Sequence, residues 1–182
     1  MPNEYELDLA TRCSNGDKLA EKELYMTYAA RLYALCIRYA SDREEAQDLM
    51  HDAMIKAFGT ISKYRYTAEG SLYAWLRKLT INMAVDKLRR KRFRMVPIRD
   101  FDLPEYDDGQ DLPDIPPSVL LEMVAGLPRR KRLVFNMFCI DGMSHKEISE
   151  LLGISEKGSA SLLAKARLEL KKEVADYLKR IG

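Results

Sequence analysis

Apolar residues recur at intervals of three and four along most of the chain, the spacing that places side chains on one face of an α-helix. The stretch DREEAQDLMHDAMIKAF, residues 42–58, keeps this spacing without a lapse. Runs that alternate between apolar and polar residues, as β-strands do, are hard to find. The pattern therefore predicts an all-α protein.

Four helices are predicted in the first half of the chain. They cover about residues 5–14, 17–39 and 43–61, and then the segment SLYAWLRKLTINMAVDKLRRKRF. Asp42 and Glu45 form a capping-box pattern at the start of the third helix, and Ser71 is the expected cap of the fourth. Trp75 lies on the apolar stripe of the fourth helix, which favours a place in the core. The other members of that stripe are Leu72, Leu76, Leu79 and Met83.

Residues 96–117, VPIRDFDLPEYDDGQDLPDIPP, break the helical pattern. They hold five of the seven prolines and seven acidic residues, a composition typical of a linker. The chain is therefore expected to form two small helical domains, residues 1–95 and 118–182, joined by an acidic, proline-rich linker.

The second half contains a predicted helix-turn-helix. Helices are expected from Ser118, over SVLLEMVAG, and over PRRKRLVFNMFCI, with a stop at Asp141-Gly142. Ser144 and Glu147 then form a capping box for HKEISELL, Gly153 ends that helix, and Ser155 caps a last helix that runs toward Leu178. The residues expected to face inward at the turn are Ile148, Leu151 and Ile154. The second helix of such a motif usually enters the major groove of DNA.

Charge is strongly segregated behind a net value of +2. Residues 1–60 carry −4, residues 61–95 carry +8, residues 96–117 carry −6 and residues 118–182 carry +4. Two basic blocks separated by an acidic one indicate a protein that meets a polyanion at two places. The densest block is KLRRKRFR, residues 87–94. Tyr64 and Tyr66 precede its helix and are candidates for stacking on unpaired bases.

Candidate catalytic chemistry is sparse. Asp48 and His51 share a helix face, but there is no second carboxylate-histidine pair, so no metal site is expected. No glycine-rich phosphate loop and no nucleophile-base pair is suggested. Three dispersed cysteines, at positions 13, 36 and 139, are interpreted as buried small hydrophobic residues. Neither a signal peptide nor a membrane-spanning run is visible, so a cytoplasmic location without membrane insertion is expected.

Several segments, in order and spacing, resemble the extracytoplasmic-function (ECF) sigma factors, the compact class of bacterial initiation factors. NGDKLAEKELYMTYAARLY is similar to the opening of that family, and DREEAQDLMHDAMIKAF to its DREDAEDLVQEVFLRAW type of segment. SLYAWLRKLTINMAVDKLRR follows, and LPRRKRLVFNMFCIDGMSHKEISELLGIS completes the resemblance after the linker. It covers nearly the whole chain.

The resemblance implies a non-enzymatic, cofactor-free protein that binds core RNA polymerase and directs promoter-specific initiation. Residues 1–95 would correspond to sigma region 2 and residues 118–182 to region 4. Residues 42–58 would bind the clamp helices of the beta-prime subunit, which would explain the acidic stripe Glu44, Asp48 and Asp52. The implied polymerase-binding set is Asp42, Glu45, Asp48, Leu49, His51, Asp52, Met54, Ile55 and Phe58. Family members are often held inactive by an anti-sigma factor, which adds a further expected partner.

Two promoter contacts are also implied. The loop set for the minus-ten element is Tyr64, Arg65, Tyr66 and Thr67, and the helix set is Arg77, Lys78, Asn82, Lys87, Arg89 and Arg90. The minus-thirty-five set is Ser155, Lys157, Ser159, Ser161, Lys165 and Arg167. This last helix departs from the usual GISEGTVKSRLSRAR, because Gly158, Ala160 and Leu162 replace its Thr, Lys and Arg. Leu162 either touches a thymine methyl or edges the core, and upstream recognition is expected to be weaker or differently specified.

Two alternatives come from other classes. A free-standing helix-turn-helix regulator would bind duplex DNA without polymerase, but it leaves the acidic helix unexplained. A metal-binding helical enzyme lacks ligands. Binding to purified core polymerase separates these possibilities.

Overall fold

The computed structural model describes residues 5–40, 42–90 and 115–181, with the side chains of residues 89, 90 and 117 outside the description. All regular elements in these ranges are helical, as predicted. The chain divides into two compact units, Met1–Arg94 and Met95–Gly182. The predicted linker falls largely on residues 96–114, which lie outside the described ranges.

Four α-helices lie in the described part of the first unit. They are α1 (Tyr5–Ser14), α2 (Lys18–Tyr39), α3 (Arg43–Thr60) and α4 (Ser71–Arg90), with a short 3-10 turn at Ile61–Lys63. Helices α2, α3 and α4 pack on one another, and α1 packs on α2 and α4. Their apolar stripes form a core in which Leu24, Leu32, Met54, Leu72 and Leu76 are fully buried.

Local capping sets two of the helix starts. The Asp17 carboxylate accepts the N–H groups of Leu19 and Ala20, and Asp42 accepts the N–H of Glu45 at 2.7 Å. These bonds satisfy donors that the first turn of a helix leaves without an internal partner. The predicted Asp42 cap is confirmed.

Residues 115–181 of the second unit also form four α-helices. They are α5 (Pro117–Gly126), α6 (Arg129–Phe135), α7 (His145–Leu152) and α8 (Glu156–Ile181). Helices α5, α6 and α7 all pack against α8. Val134, Met137, Ile148 and Ala166 are buried at the centre. The predicted continuous helix PRRKRLVFNMFCI instead widens into a π-helical turn at Asn136–Ile140.

Helices α7 and α8 form the predicted helix-turn-helix. Ser144 and Glu147 make the reciprocal capping box, and Gly153 ends α7 in the left-handed conformation with a φ of 65°. The Ser155 hydroxyl accepts the N–H of Gly158 at 2.9 Å at the start of α8. Ile148 is buried, whereas Leu151 and Ile154 are half-buried. The short-range signals in the sequence therefore placed this motif correctly.

Three expectations need correction. Cys13 and Cys36 are buried, but Cys139 lies in the π-helical turn and is exposed. Trp75 is half-buried, because it lies at the edge of the α3 and α4 packing and lines a pocket there. The Ser71 side chain is not the cap expected for α4, because its hydroxyl bonds to Tyr64 in the preceding loop. The N–H of Leu72, in the first turn of α4, instead donates to the carboxylate of Glu6 in α1.

Candidate nucleic-acid and partner interfaces

One face of α3 presents acidic side chains to solvent. Glu44, Asp48 and Asp52 are all exposed at intervals of four residues. Exposed His51 and Ile55 lie beside them, with Ile55 69% accessible. Together these five residues are called the acidic α3 face. Like charges four residues apart disfavour the isolated helix by about 0.2–0.5 kcal/mol per pair, so the arrangement carries a small stability cost that a cationic partner could offset.

An aromatic contact extends this face onto α2. The rings of Tyr25 and His51 are stacked at 6.3 Å, with an angle of 15° between their planes. The Tyr25 hydroxyl and His51 Nε2 lie 3.2 Å apart, within hydrogen-bond range. His51 thereby contacts a side chain of the neighbouring helix α2.

Some members of the predicted polymerase-binding set lie beneath this face. Leu49 and Met54 are buried in the core, because the helix repeat turns them toward α2 and α4. Glu45 and Phe58 are half-buried, and exposed Asp42 is engaged as the helix cap. The expectation that Leu49 and Met54 contact a partner is therefore corrected: as the structure stands, they support the face from inside.

The two tyrosines in the loop before α4 differ in burial. Tyr64 is only 7% exposed, its hydroxyl lies 2.6 Å from Ser71 Oγ, and its ring packs on Trp75 at a centroid distance of 5.9 Å. Burial raises the pKa of its phenol. Tyr66 is half-buried. The expectation that Tyr64 is available for stacking is corrected, because its ring is packed inside the unit.

The other loop residues remain near the surface. Arg65 is exposed, and its Nη1 donates to the carbonyl oxygens of Ser62 at 2.9 Å and Tyr64 at 3.0 Å. Thr67 is also exposed, and its N–H donates to Ser71 Oγ at 3.4 Å. The loop is thus tied to its own backbone and to the start of α4.

A pocket of about 240 Å³ opens between the end of α3 and the middle of α4. It is named the Trp75 pocket, and its lining consists of Lys56, Thr60, Lys63, Trp75, Lys78, Leu79 and Asn82. Three lysines, one tryptophan and one asparagine therefore line the same, mostly apolar concavity. That combination suits a flat, polar group that carries or adjoins negative charge.

The sequence identified only part of this pocket. Lys78 and Asn82 belong to the predicted minus-ten set, but Lys56, Lys63 and Trp75 do not. The available signal in the sequence was the spacing of Lys56 and Thr60, which are four residues apart and therefore share one face at the end of α3. Arg77 and Lys87 are half-buried on α4. The side chains of Arg89 and Arg90, and residues 91–94 of the basic run, lie outside the described part of the chain.

The outer surface of the helix-turn-helix carries four of the predicted upstream residues. Ser155 and Lys157 are exposed, and Lys165 and Arg167 are half-buried. Ser159 and Ser161 are instead buried, with Ser159 fully inaccessible. Their place in the predicted DNA-reading set is corrected, because this side of α8 faces the packed helices of the second unit. Leu162 is half-buried.

Ser159 has a polar partner inside the unit. Its Oγ lies 2.9 Å from His145 Nδ1, and the His145 ring stacks on Phe138 at 4.5 Å. Burial, and secondarily the charge of Arg167, lowers the pKa of His145. A buried hydroxyl is tolerated when it is hydrogen-bonded, so this pair accounts for serine at a core position of α8.

The described ranges contain neither a metal cluster nor a membrane helix. Among residues 5–40, 42–90 and 115–181, no three His, Cys, Asp or Glu side chains come together as a metal site would require. Within the same ranges, the helices are too short or too polar to cross a bilayer.

Comparison with known proteins gives one consistent result. A protein-family model described as sigma-70 region 2 matches residues 24–94, and one described as sigma-70, region 4, matches residues 118–170. The chain is 24% identical to the RNA polymerase sigma-H factor of Pseudomonas aeruginosa, covering 98% of each chain. It is 27% identical to the ECF RNA polymerase sigma factor SigE of Mycolicibacterium smegmatis, covering 97% of this chain and 70% of that one.

A solved structure shares the fold. The sigma factor RpoE of Bartonella quintana, crystallised in complex with the anti-sigma factor NepR, aligns with a TM-score of 0.53. The alignment covers 85% of this chain and 96% of that one at 19% identity.

Proposed function

Because the chain belongs to the ECF class of sigma-70 factors, it directs RNA polymerase to promoters, and we propose which of its surfaces carry each step. Residues 1–95 bind polymerase and open the minus-ten element. Residues 96–117 act as a linker, and residues 118–182 read the minus-thirty-five element. The protein is an initiation factor that leaves the chemistry to polymerase, and it acts in the cytoplasm.

The acidic α3 face is the proposed docking site for the clamp helices of the beta-prime subunit. Its support is the exposure of Asp48, Asp52 and Ile55 on one side of a helix whose opposite side is buried. A cationic partner would relieve the repulsion along the stripe, and exposed Ile55 would add apolar contact. Charge complementarity of this kind sets orientation and association rate more than affinity.

The Trp75 pocket is the proposed site for an unpaired promoter base, and it is the observation that carries the strand-opening assignment. Its volume of about 240 Å³ is below the roughly 300–1,000 Å³ of clefts for drug-sized ligands. A single base offers a flat ring for Trp75 and polar edges for Asn82, while its flanking phosphates would meet Lys56, Lys63 and Lys78. Capture of an unstacked base offsets the few kcal/mol that its extrusion costs.

The exposed side of the helix-turn-helix is the proposed upstream contact. Lys157, Lys165 and Arg167 can neutralise DNA phosphates. The Ser155 hydroxyl, at the start of α8, can bond to the DNA backbone. An anti-sigma factor is a further proposed partner, by analogy with the NepR complex of RpoE. Such a protein would have to cover the acidic α3 face or the DNA-contacting surfaces to prevent initiation.

Reconstitution with purified core polymerase tests the proposal. Transcription from a genomic library should start at a small set of sites only when the protein is present, in a complex of one copy per polymerase. Sequence-specific binding to duplex DNA by the protein alone, with no polymerase complex, would instead support a free-standing regulator.

The pocket assignment has its own test. Replacing Lys56, Lys63 and Lys78 with Ala should reduce permanganate-reactive, opened promoter DNA while leaving polymerase binding intact. Exposed Lys22, Lys172 and Lys179 make a matched control triple with the same loss of charge. Equal loss of opening in both triples would reject the pocket, because it would indicate only a general effect of charge.

A further inference from the structure

A buried carboxyl group in α1 reaches the start of α4. Glu6 is 6% exposed, and its Oε2 accepts the backbone N–H of Leu72 at 3.1 Å. Its Oε1 lies 3.3 Å from the donating hydroxyl of Tyr28. The bonded groups of Glu6 and Leu72 are 66 residues apart in sequence. A buried carboxyl group persists only with such partners, so this contact is a specific feature of the unit.

Glu6 performs a capping role that a local residue usually performs. The first N–H groups of an α-helix lack internal partners and are normally bound by a Ser, Thr, Asp or Asn at the N-cap. Ser71 is the residue of that type at the start of α4. Its hydroxyl is used elsewhere, at 2.6 Å from the Tyr64 hydroxyl and 3.4 Å from the N–H of Thr67. Glu6 of α1 thus binds the first turn of α4, while the Ser71 hydroxyl binds the loop.

The contacts continue from Ser71 to the Trp75 pocket. Tyr64, held by Ser71, packs on Trp75 with an angle of 57° between the rings. Trp75 in turn forms a wall of the pocket. A path of direct contacts therefore runs from Glu6 through the first turn of α4 and the Tyr64 ring to the pocket.

We propose that Glu6 is a positioning residue for promoter opening, and that α1 belongs to the strand-opening apparatus although it precedes the matched region 24–94. The inference rests on the proposed function of the Trp75 pocket. Glu6 touches no DNA in this scheme. It fixes the first turn of α4, which fixes Ser71, Tyr64 and the orientation of Trp75. Its loss should impair base capture and leave polymerase docking unaffected.

The first measurement needs neither polymerase nor DNA. Trp75 is the sole tryptophan of the chain, so its fluorescence reports on the pocket directly. Glu6→Leu, which removes both acceptor oxygens, should shift the emission to longer wavelength and increase quenching by added acrylamide. Glu6→Gln keeps one acceptor oxygen and should lie between Glu6→Leu and the parent. Asp8→Asn, an exposed acidic position two residues along α1, is the charge-matched control and should resemble the parent.

The second measurement uses the full protein with core polymerase. Glu6→Leu should reduce permanganate-reactive promoter DNA about tenfold, the scale of one lost helix cap, with closed-complex binding within about twofold of the parent. Leu9→Ala removes fully buried packing from the same helix without touching the Leu72 N–H. It therefore controls for general destabilisation, and circular dichroism confirms that each variant is folded.

The outcomes separate the two proposals. Parental fluorescence and opening in both Glu6 variants would overturn the inference, as would equal loss of opening in Leu9→Ala at matched stability. If Glu6→Leu fails to fold, Glu6→Gln decides by the same criteria. If the Glu6 variants alter Trp75 emission while the parent itself opens no promoter, the structural path stands, but the inference falls together with the proposed function of the pocket.

Discussion

The hydroxyl of Tyr64 lies 2.6 Å from the hydroxyl of Ser71, which holds the first tyrosine of the loop inside the N-terminal unit. Tyr66, two residues later, has no such constraint among the hydrogen bonds described for the loop and is half-buried. The two tyrosines therefore lie in different environments and are expected to have different roles, although the sequence makes them look equivalent.

Single substitutions should separate these roles. Tyr64→Phe should lower the free energy of unfolding by about 0.5–1.5 kcal/mol, because it removes one hydrogen bond and leaves Ser71 with one partner fewer. Tyr66→Ala should leave stability nearly unchanged and weaken promoter opening by about 1–3 kcal/mol, if its ring stacks on one base. Chemical denaturation and permanganate footprinting measure the two effects. Parental opening by Tyr66→Ala would remove it from the stacking role.

The acidic α3 face should determine polymerase binding. Asp48→Arg combined with Asp52→Arg should abolish co-elution with core polymerase, because it reverses the charge on exposed positions of the face. The helical circular-dichroism signal should persist, since neither side chain is buried. Glu150→Arg with Asp176→Arg applies the same charge change to exposed positions of the second unit and serves as the control. Unchanged co-elution of the α3 variant would refute the interface.

Helix α8 should bind upstream DNA through a small number of cationic side chains. Lys165→Ala with Arg167→Ala should nearly remove binding, and Ala160→Lys should strengthen it. Each phosphate that a side chain neutralises contributes about 0.9 to the slope of log K against log salt. Anisotropy of a labelled upstream duplex, titrated with salt, measures affinity and slope together. A double variant with parental affinity and slope would contradict this assignment of α8.

Buried Ser159 provides a contrast in the same assay. Its hydroxyl is bound to His145 inside the unit, so Ser159→Ala should change stability without changing the salt slope. A reduced slope would mean that Ser159 reaches the DNA backbone after all.

The His145 and Ser159 pair should make stability depend on pH. The pKa of His145 is lowered in the folded protein, first by burial and then by Arg167, while Glu156 acts in the opposite direction. Below the unfolded value of about 6.5, the unfolded chain therefore binds the proton more readily, and stability falls as pH decreases until the folded form also protonates. His145→Gln should reduce this loss in thermal unfolding between about pH 7 and pH 5. If His145→Gln shows the parental pH dependence of thermal unfolding, His145 is not the source of the pH effect.

The cysteines should differ in reactivity. Burial raises the pKa of Cys13 to about 11 and that of Cys36 to about 12, so neither forms appreciable thiolate at neutral pH. Cys139 is exposed. Brief alkylation of the folded protein should add one label, at Cys139, whereas the denatured chain should take three. Rapid labelling of Cys36 in the folded state would show that the first unit opens readily.

The features that the sequence determined by itself are those that depend on nearby residues. The apolar spacing of α3, the Asp42 cap, the Ser144 and Glu147 capping box and the left-handed Gly153 all act over one or two helical turns. Their interactions are therefore encoded within a few positions. The order of these motifs along the chain also sufficed for the family assignment, because several independent segments agree with it.

Only the tertiary structure decided which polar and aromatic side chains face solvent. A helical repeat assigns residues to faces, but it does not say which neighbour covers a face, so Leu49, Tyr64 and Ser159 were assigned to surfaces and lie inside. The Trp75 pocket needs Lys56 from α3 beside Asn82 from α4. The cap on Leu72 comes from Glu6, 66 residues away, and no local pattern encodes a contact that forms only when two distant helices pack.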